Sequence, residues 1–157
     1  QQRRVWKNNQ DIAVRIVPAT YMQEHYELYA KYIKHRHADG DMYPPSVAQY
    51  VSFLFADWSD TWLYEFRQND KLLAVAVCDA LKNGLSAVYT FYDCDAEARS
   101  LGTYAVLWQI SETKRLEMDY LYLGYWVEKS KKMTYKTHFQ PLEALIDQRW
   151  LPLIHDE

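Results

Sequence analysis

LSAVYTFYDCDAEARSLGTYAVLWQISETKRLEMDYLYLGYWV, residues 85 to 127, decides how this chain folds. Residues 85 to 93 are rich in β-branched and aromatic side chains and read as a strand. Residues 100 to 116 read as a helix, with Ser100 at the N-cap position and Leu101, Tyr104, Ala105 and Trp108 recurring on one face. Residues 119 to 127 turn apolar and aromatic again and read as a second strand. Strand, helix and strand in succession make a crossover, so the two strands lie parallel.

Upstream, TWLYEFRQ (61 to 68) and KLLAVAVCDAL (71 to 81) are two more strands. Asn69-Asp70 and Lys82-Asn83-Gly84 are connections of hairpin length, so three consecutive strands pair antiparallel. DIAVRIVPA (11 to 19) is a short strand stopping at Pro18. Thr20 then caps a helix with Met22, Tyr26, Tyr29 and Ile33 on one face, ending before Asp39-Gly40, and Ser46 caps another over 47 to 58. PLEALIDQRWLPL (141 to 153) reads as an amphipathic turn or short helix and then an extended piece. The order predicts an α+β fold, a mixed and mostly antiparallel sheet flanked by helices, in one domain over 11 to 157. It resembles the GNAT-like (acyl-CoA N-acyltransferase-like) fold, where the last two parallel strands splay and the donor enters the gap.

Composition narrows the function. The 157 residues carry a net charge of −3, which argues against a protein that coats nucleic acid nonspecifically and leaves room for a local basic patch. Fourteen tyrosines and six tryptophans suit stacking platforms as well as a core. Two cysteines, Cys78 and Cys94, give neither a disulfide framework nor a zinc site, and a reducing cytoplasm is expected. His35 and His37 flank Arg36 but lack further ligands, so no metal is assigned. The longest apolar run is too short to span a bilayer, and no membrane association is expected.

The most suggestive chemistry lies just past the second parallel strand. Lys129, Lys131, Lys132 and Lys136 interleave with Met133, Tyr135 and Phe139. Lysines beside aromatic rings suit a single-stranded RNA end, cations for phosphates and rings for bases. Arg99-Ser100-Leu101-Gly102-Thr103-Tyr104 matches the pyrophosphate turn of N-acetyltransferases at Arg99 and Gly102. Tyr104 falls where that turn needs Gly or Ala and argues against coenzyme A, so no cofactor is expected. Ser100 and Gly102 still place helix amides where a different phosphate is held.

RHADGDM (36 to 42), LYEFR (63 to 67), GLSAVYTFYD (84 to 93), RSLGTYAVL (99 to 107) and YLYLGYWVEKSKKMTYKTHFQPLE (120 to 143) resemble, in colinear order, the C-terminal domain of the arginyl-tRNA-protein transferase family. They are most similar to its bacterial branch, the aspartate/glutamate leucyltransferases. The resemblance implies transfer of an amino acid from aminoacyl-tRNA to the N-terminal amine of proteins beginning with Asp or Glu, the marking step of the N-degron pathway. Leucine is the expected donor and arginine the alternative; a fragment that binds tRNA or acidic N-termini without transfer is a third possibility. It also implies a cysteine-rich N-terminal domain, with residues 1 to 10 as its linker. The family tends to have Pro at Cys94 and Cys at Ser130.

For aminolysis of an ester, this reading takes Asp93 as the carboxylate that orients or relieves the attacking ammonium, with Asp79 second. Tyr89 and Tyr125 are expected to face the gap and donate to the developing oxyanion or leaving oxygen. Arg67 and Arg36 are the candidates to grip the acceptor's acidic side chain, because a guanidinium holds a carboxylate bidentately. Lys132, Tyr135 and Lys136 would hold the tRNA end. Trp108, Leu123 and Trp126 are candidates to line a pocket for leucine.

Overall fold

The computed structural model describes residues 1–55, 59–126 and 129–153. They form two compact units, Gln1–Tyr122 and Leu123–Glu157. The first holds α1 (Gln2–Asn8), β1 (Ala13–Pro18), α2 (Gln23–Arg36), α3 (Val47–Leu54), β2 (Thr61–Gln68), β3 (Lys71–Ala80), β4 (Gly84–Tyr92), α4 (Leu101–Arg115) and β5 (Tyr120–Tyr122). A kinked 3₁₀ segment, Cys94–Arg99, joins β4 to α4. The sheet order is β1-β2-β3-β4-β5, antiparallel except for the β4–β5 pair. The fold is α+β with a mostly antiparallel mixed sheet, and the expected crossover is present.

Helices cover both faces of the sheet. On one, α1 and α4 pack through Val5, Leu101, Tyr104 and Ala105 onto Tyr64, Phe66, Ala74 and Ala76. On the other, α2 and α3 pack through Leu28, Tyr29, Ile33, Tyr50 and Leu54 onto Leu63, Val75, Val77 and Phe91. This double cover explains why β3 is buried without interruption from Leu72 to Cys78, since neither face of a central strand meets water. β1 is an edge strand, which tolerates Pro18. The leading segment, without apolar periodicity, is nonetheless helical: Val5 and Asn9 are buried, and Asn9 Nδ2 donates to the carbonyls of Val5 and Arg99.

Several ends differ from expectation. Met22, not Thr20, precedes α2. Ser46 does cap α3, its Oγ accepting from the Gln49 amide at 3.2 Å, but the helix stops at Leu54; the expected continuation over 56–58 lies outside the described residues. Ser100 occupies the N-cap position of α4 with φ 51° and its side chain makes no cap hydrogen bond. α4 ends in a Schellman motif, in which Met118 N donates to Thr113 O and Glu117 N to Lys114 O, with Glu117 at φ 58°.

β5 is three residues long rather than nine. It pairs with β4 only from Gly84↔Tyr120 to Ser86↔Tyr122. Beyond that, β4 runs on to Tyr92 with no strand beside it on that edge among the described residues. Gly84 permits this pairing, because a Cβ there would sit 2.3 Å from the Tyr120 carbonyl oxygen. Gly84→Ala is therefore expected to part β5 from β4 at a cost of roughly 1–3 kcal/mol, read as a lower urea midpoint with loss of amide protection in residues 120–122.

The second unit contains a 3₁₀ segment, Lys131–His138, and the hairpin β6 (Glu143–Ile146) and β7 (Arg149–Pro152). The tail is thus a hairpin, not a helix. Asp147 and Gln148 both take positive φ, 50° and 65°, as a tight two-residue hairpin turn demands.

Candidate active site

The carboxyl end of β4 gathers Asp93, Asp95, Lys31 and Lys71. Asp93 follows the strand, is 4% exposed, and starts the 3₁₀ segment by accepting the Asp95 amide at Oδ1, 3.0 Å. Lys31 of α2 donates to the same oxygen at 3.0 Å and to Asp95 Oδ2 at 2.6 Å. Lys71, opening β3, lies 3.4 Å from Asp93 Oδ2. Burial alone would raise the Asp93 pKa; the Asp95 amide and the Lys31 and Lys71 ammoniums outweigh it and hold the carboxyl below its ordinary value. Asp93 is a fixed anion, and its low basicity suits orienting a cation better than removing a proton.

Beside it, Tyr92 joins two of the expected binding groups. The Arg36 guanidinium lies over its ring, 5.8 Å from the centroid, and a Cβ on Gly102 would lie 3.4 Å from its edge. Arg36 is exposed and has no carboxylate partner among the described residues. Gly102 belongs to the first turn of α4, whose amides have no partner within the helix. Arg99 is committed elsewhere: it makes a bidentate pair with Asp11 at 3.0 and 2.8 Å and donates to Asn9 Oδ1, tying the start of α4 to the leading segment.

Arg67 is a correction. Its Nε and Nη2 donate to Glu65, Nη1 and Nη2 to Glu24, and Nη1 also to the Asp70 carbonyl. These contacts use the five donors of a guanidinium, so none remains for an incoming carboxylate. Sequence reasoning missed the group that holds it. Glu65 is fully buried and accepts from Arg15 Nε at 2.7 Å, and its Oε2 lies 2.5 Å from His25 Nε2. A signal existed: an acid between Tyr64 and Phe66 in a doubly covered strand must be paired, and Arg67 is on its own face two residues on.

Tyr89 is drawn into the α2/α3 layer rather than the gap, with ring contacts to Tyr29, Tyr32 and Phe53. Burial pushes its pKa up, so the phenol stays neutral. Asp79 accepts from Thr61 Oγ1 at 2.7 Å in a cross-strand pair, and Trp108 packs against Tyr64 and Phe66 under α4 on the opposite face from α2. Neither joins the group around Asp93.

In the second unit, Lys136 is half-buried and donates to the carbonyls of Leu123 and Tyr125 at 2.9 and 2.6 Å. It pins the bend at Gly124, which takes φ 81°, and its ammonium is not free for a phosphate. Burial lowers its pKa. Lys132 and Tyr135 lie exposed on the 3₁₀ segment, and Tyr125 is 90% exposed. Trp126 is also exposed, which does not make a pocket wall of it by itself.

Residues 24–146 match the family model for the C terminus of arginine-tRNA-protein transferase. The chain belongs to this family. The arginine-tRNA-protein transferase match takes in Arg36, Glu65, Asp93 and Gly102 as well as the lysine segment. Proteins named aspartate/glutamate leucyltransferase from Pseudomonas entomophila and Stutzerimonas stutzeri are each 56% identical over 153 residues, and one from Pseudomonas putida is 55% identical over the same length. The alignments cover 98% of this chain and 65% of each relative. Among the described residues no helix is long and apolar enough to cross a membrane.

Proposed function

We propose that this chain is the acyl-transfer domain of an aspartate/glutamate leucyltransferase, taking leucine from Leu-tRNA to the N-terminal amine of cytoplasmic proteins that begin with Asp or Glu. The observation that carries the reading is the grouping at the end of β4: a buried anion at Asp93, an exposed guanidinium at Arg36 with no carboxylate partner among the described residues, and the half-buried first turn of α4. The names of the relatives supply the donor and acceptor.

The chemistry is aminolysis of an ester. The amine nitrogen attacks the aminoacyl carbonyl carbon, the bond to the ribose oxygen breaks, and the proton lost by nitrogen ends on that oxygen. An α-amine has a pKa near ~7.7–8, so much of it is neutral at cellular pH and positioning supplies most of the rate. Arg36, held over Tyr92, grips the acceptor's side-chain carboxylate. Asp93 Oδ2 holds the acceptor's ammonium, in exchange for the exposed Lys71, until it loses its proton. The α4 amides face the phosphate nearest the ester. Lys132 and Tyr135 remain the residues of the basic segment suited to the tRNA end.

Label from Leu-tRNA is expected on peptides beginning with Asp or Glu and not on those beginning with Arg or Ala. Label from Arg-tRNA instead replaces leucine by arginine as donor; binding without transfer, or acetylation from acetyl-CoA, overturns the reading. Arg36→Ala is expected to raise the KM for Asp and Glu peptides about tenfold, the worth of one charge-assisted carboxylate contact, and to leave tRNA binding unchanged. Equal losses for peptide and tRNA remove Arg36 from acceptor recognition.

A further inference from the structure

α2 carries charge contacts at both ends, and only one end belongs to the proposed site. Its first turn holds Glu24 and His25, which meet Arg67 and Glu65. Its second half holds Lys31, bonded to Asp93 and Asp95, and Arg36 over Tyr92. Glu24 and Lys31 are separated by roughly 10 Å of helix at 1.5 Å per residue. A helix so short moves as a rod, so a shift at its first turn reaches its last.

Glu65 anchors that first turn. Its carboxylate accepts from Arg15 of β1 and from Nε and Nη2 of Arg67 on its own strand, and meets His25 of α2. Arg67 carries the connection on to both oxygens of Glu24. His25 is fully buried and, among the described residues, its Nδ1 has no hydrogen-bond partner and Glu65 is the one polar tether of its ring. Apolar packing resists separation but tolerates sliding and rotation. A planar guanidinium fixed between two carboxylates tolerates neither.

We propose that Glu65 is a positioning residue: it sets the placement of α2 through His25 and through Arg67 to Glu24, and thereby places Lys31 on Asp93 and Arg36 on Tyr92. The proposal rests on the transferase reading above for its catalytic consequence. Glu65 itself touches no substrate, being fully buried between the sheet and α2.

The test compares Glu65→Gln with Glu112→Gln in the full chain. Glu112 belongs to the last turn of α4, on the opposite face of the sheet from α2, is 4% exposed and is paired with Arg115 three residues on. Glu65→Gln is expected to raise amide hydrogen exchange at residues 31–36 at least tenfold with α4 unchanged. It should also lower kcat for leucyl transfer at least tenfold per folded molecule, with the KM for Leu-tRNA within twofold. Glu112→Gln is expected to raise exchange in α4, leaving α2 and kcat unmoved. Exchange rising alike in α2 and α4, no change at 31–36, or equal slowing by the two variants overturns the proposal. Should the wild-type chain transfer nothing from Leu-tRNA, the transferase reading falls, and the exchange pattern alone upholds or overturns the link from Glu65 to the far end of α2. If Glu65→Gln does not fold, Glu24→Gln, at the half-exposed end of the same network, is expected to give the α2-confined pattern at about threefold amplitude; its absence overturns the proposal.

Discussion

On the proposed reading, Asp93→Asn is expected to slow transfer from Leu-tRNA about a hundredfold, the loss of about 3 kcal/mol of transition-state stabilisation, while the chain stays folded. Asparagine keeps the size of the side chain and an oxygen for the Asp95 amide, so the turn into the 3₁₀ segment survives. It removes the charge that holds Lys31 at 3.0 Å and Lys71 at 3.4 Å. Lys71 is then released while Lys31 stays bonded to Asp95 Oδ2 at 2.6 Å, and no charge remains at Asp93 to hold an acceptor ammonium. The pH profile separates orientation from base catalysis. Because the Asp93 pKa is held below its ordinary value, Asp93 is ionised throughout the neutral range, and the rise of rate with pH reports deprotonation of the acceptor amine near ~8. The asparagine variant is expected to keep that profile at a lower rate. Loss of the pH dependence would make Asp93 the base and refute an orienting role.

The same residue shows what a sequence can and cannot disclose about such a site. Asp93 stands out because a strand of aromatic and β-branched residues ends on it, and the end of a parallel strand is where ligands gather. Its partners do not stand out. Lys31 is 62 positions away, and its side of α2 is defined only once the tyrosines of α2 are known to face β4. Arg67 shows the reverse failure. An arginine leaving a strand looks available, yet Glu24, 43 positions upstream, closes on it from another element. Lys136 fails similarly, since a run of lysines suggests a solvated or phosphate-binding face, and its burial follows from the bend at Gly124.

Elements were legible where burial imposes a period and obscure where an end depends on tertiary contact. The run from Leu72 to Cys78 can only be a central strand, and 101 to 115 shows its helical face plainly. β5 reads as long because 120 to 127 is almost wholly apolar and aromatic, but its pairing ends at Ser86↔Tyr122 although β4 runs on to Tyr92, and nothing in the side-chain pattern marks where the two strands part. The β6–β7 hairpin was hidden because Asp147-Gln148 lacks the glycine that usually marks such a turn.

Glu65→Ala is the substitution expected to cost most stability, about 3–5 kcal/mol, the loss from removing one partner of a buried ion pair and leaving the others desolvated. The groups facing this carboxylate are Arg15 from β1, His25 from α2 and Arg67 beside it, with Glu24 across Arg67. Burial pushes the Glu65 pKa up, but hydrogen bonds from Arg67, His25 and Arg15 overcome this and bring it to about 2 from an ordinary 4.5. A carboxyl whose folded pKa is depressed contributes its stability above the unfolded pKa and loses it as pH falls through the folded one. The wild-type urea midpoint should therefore fall between about pH 5 and pH 2, by the equivalent of about 3 kcal/mol from this group at most, since Arg15 is 64% exposed and its share is screened. Glu65→Gln is expected to start lower at pH 7 and to lose much of that acid dependence. A wild-type midpoint that stays level over this range, or a glutamine variant that falls in parallel with it, would mean that Glu65 is not held as an anion by the fold.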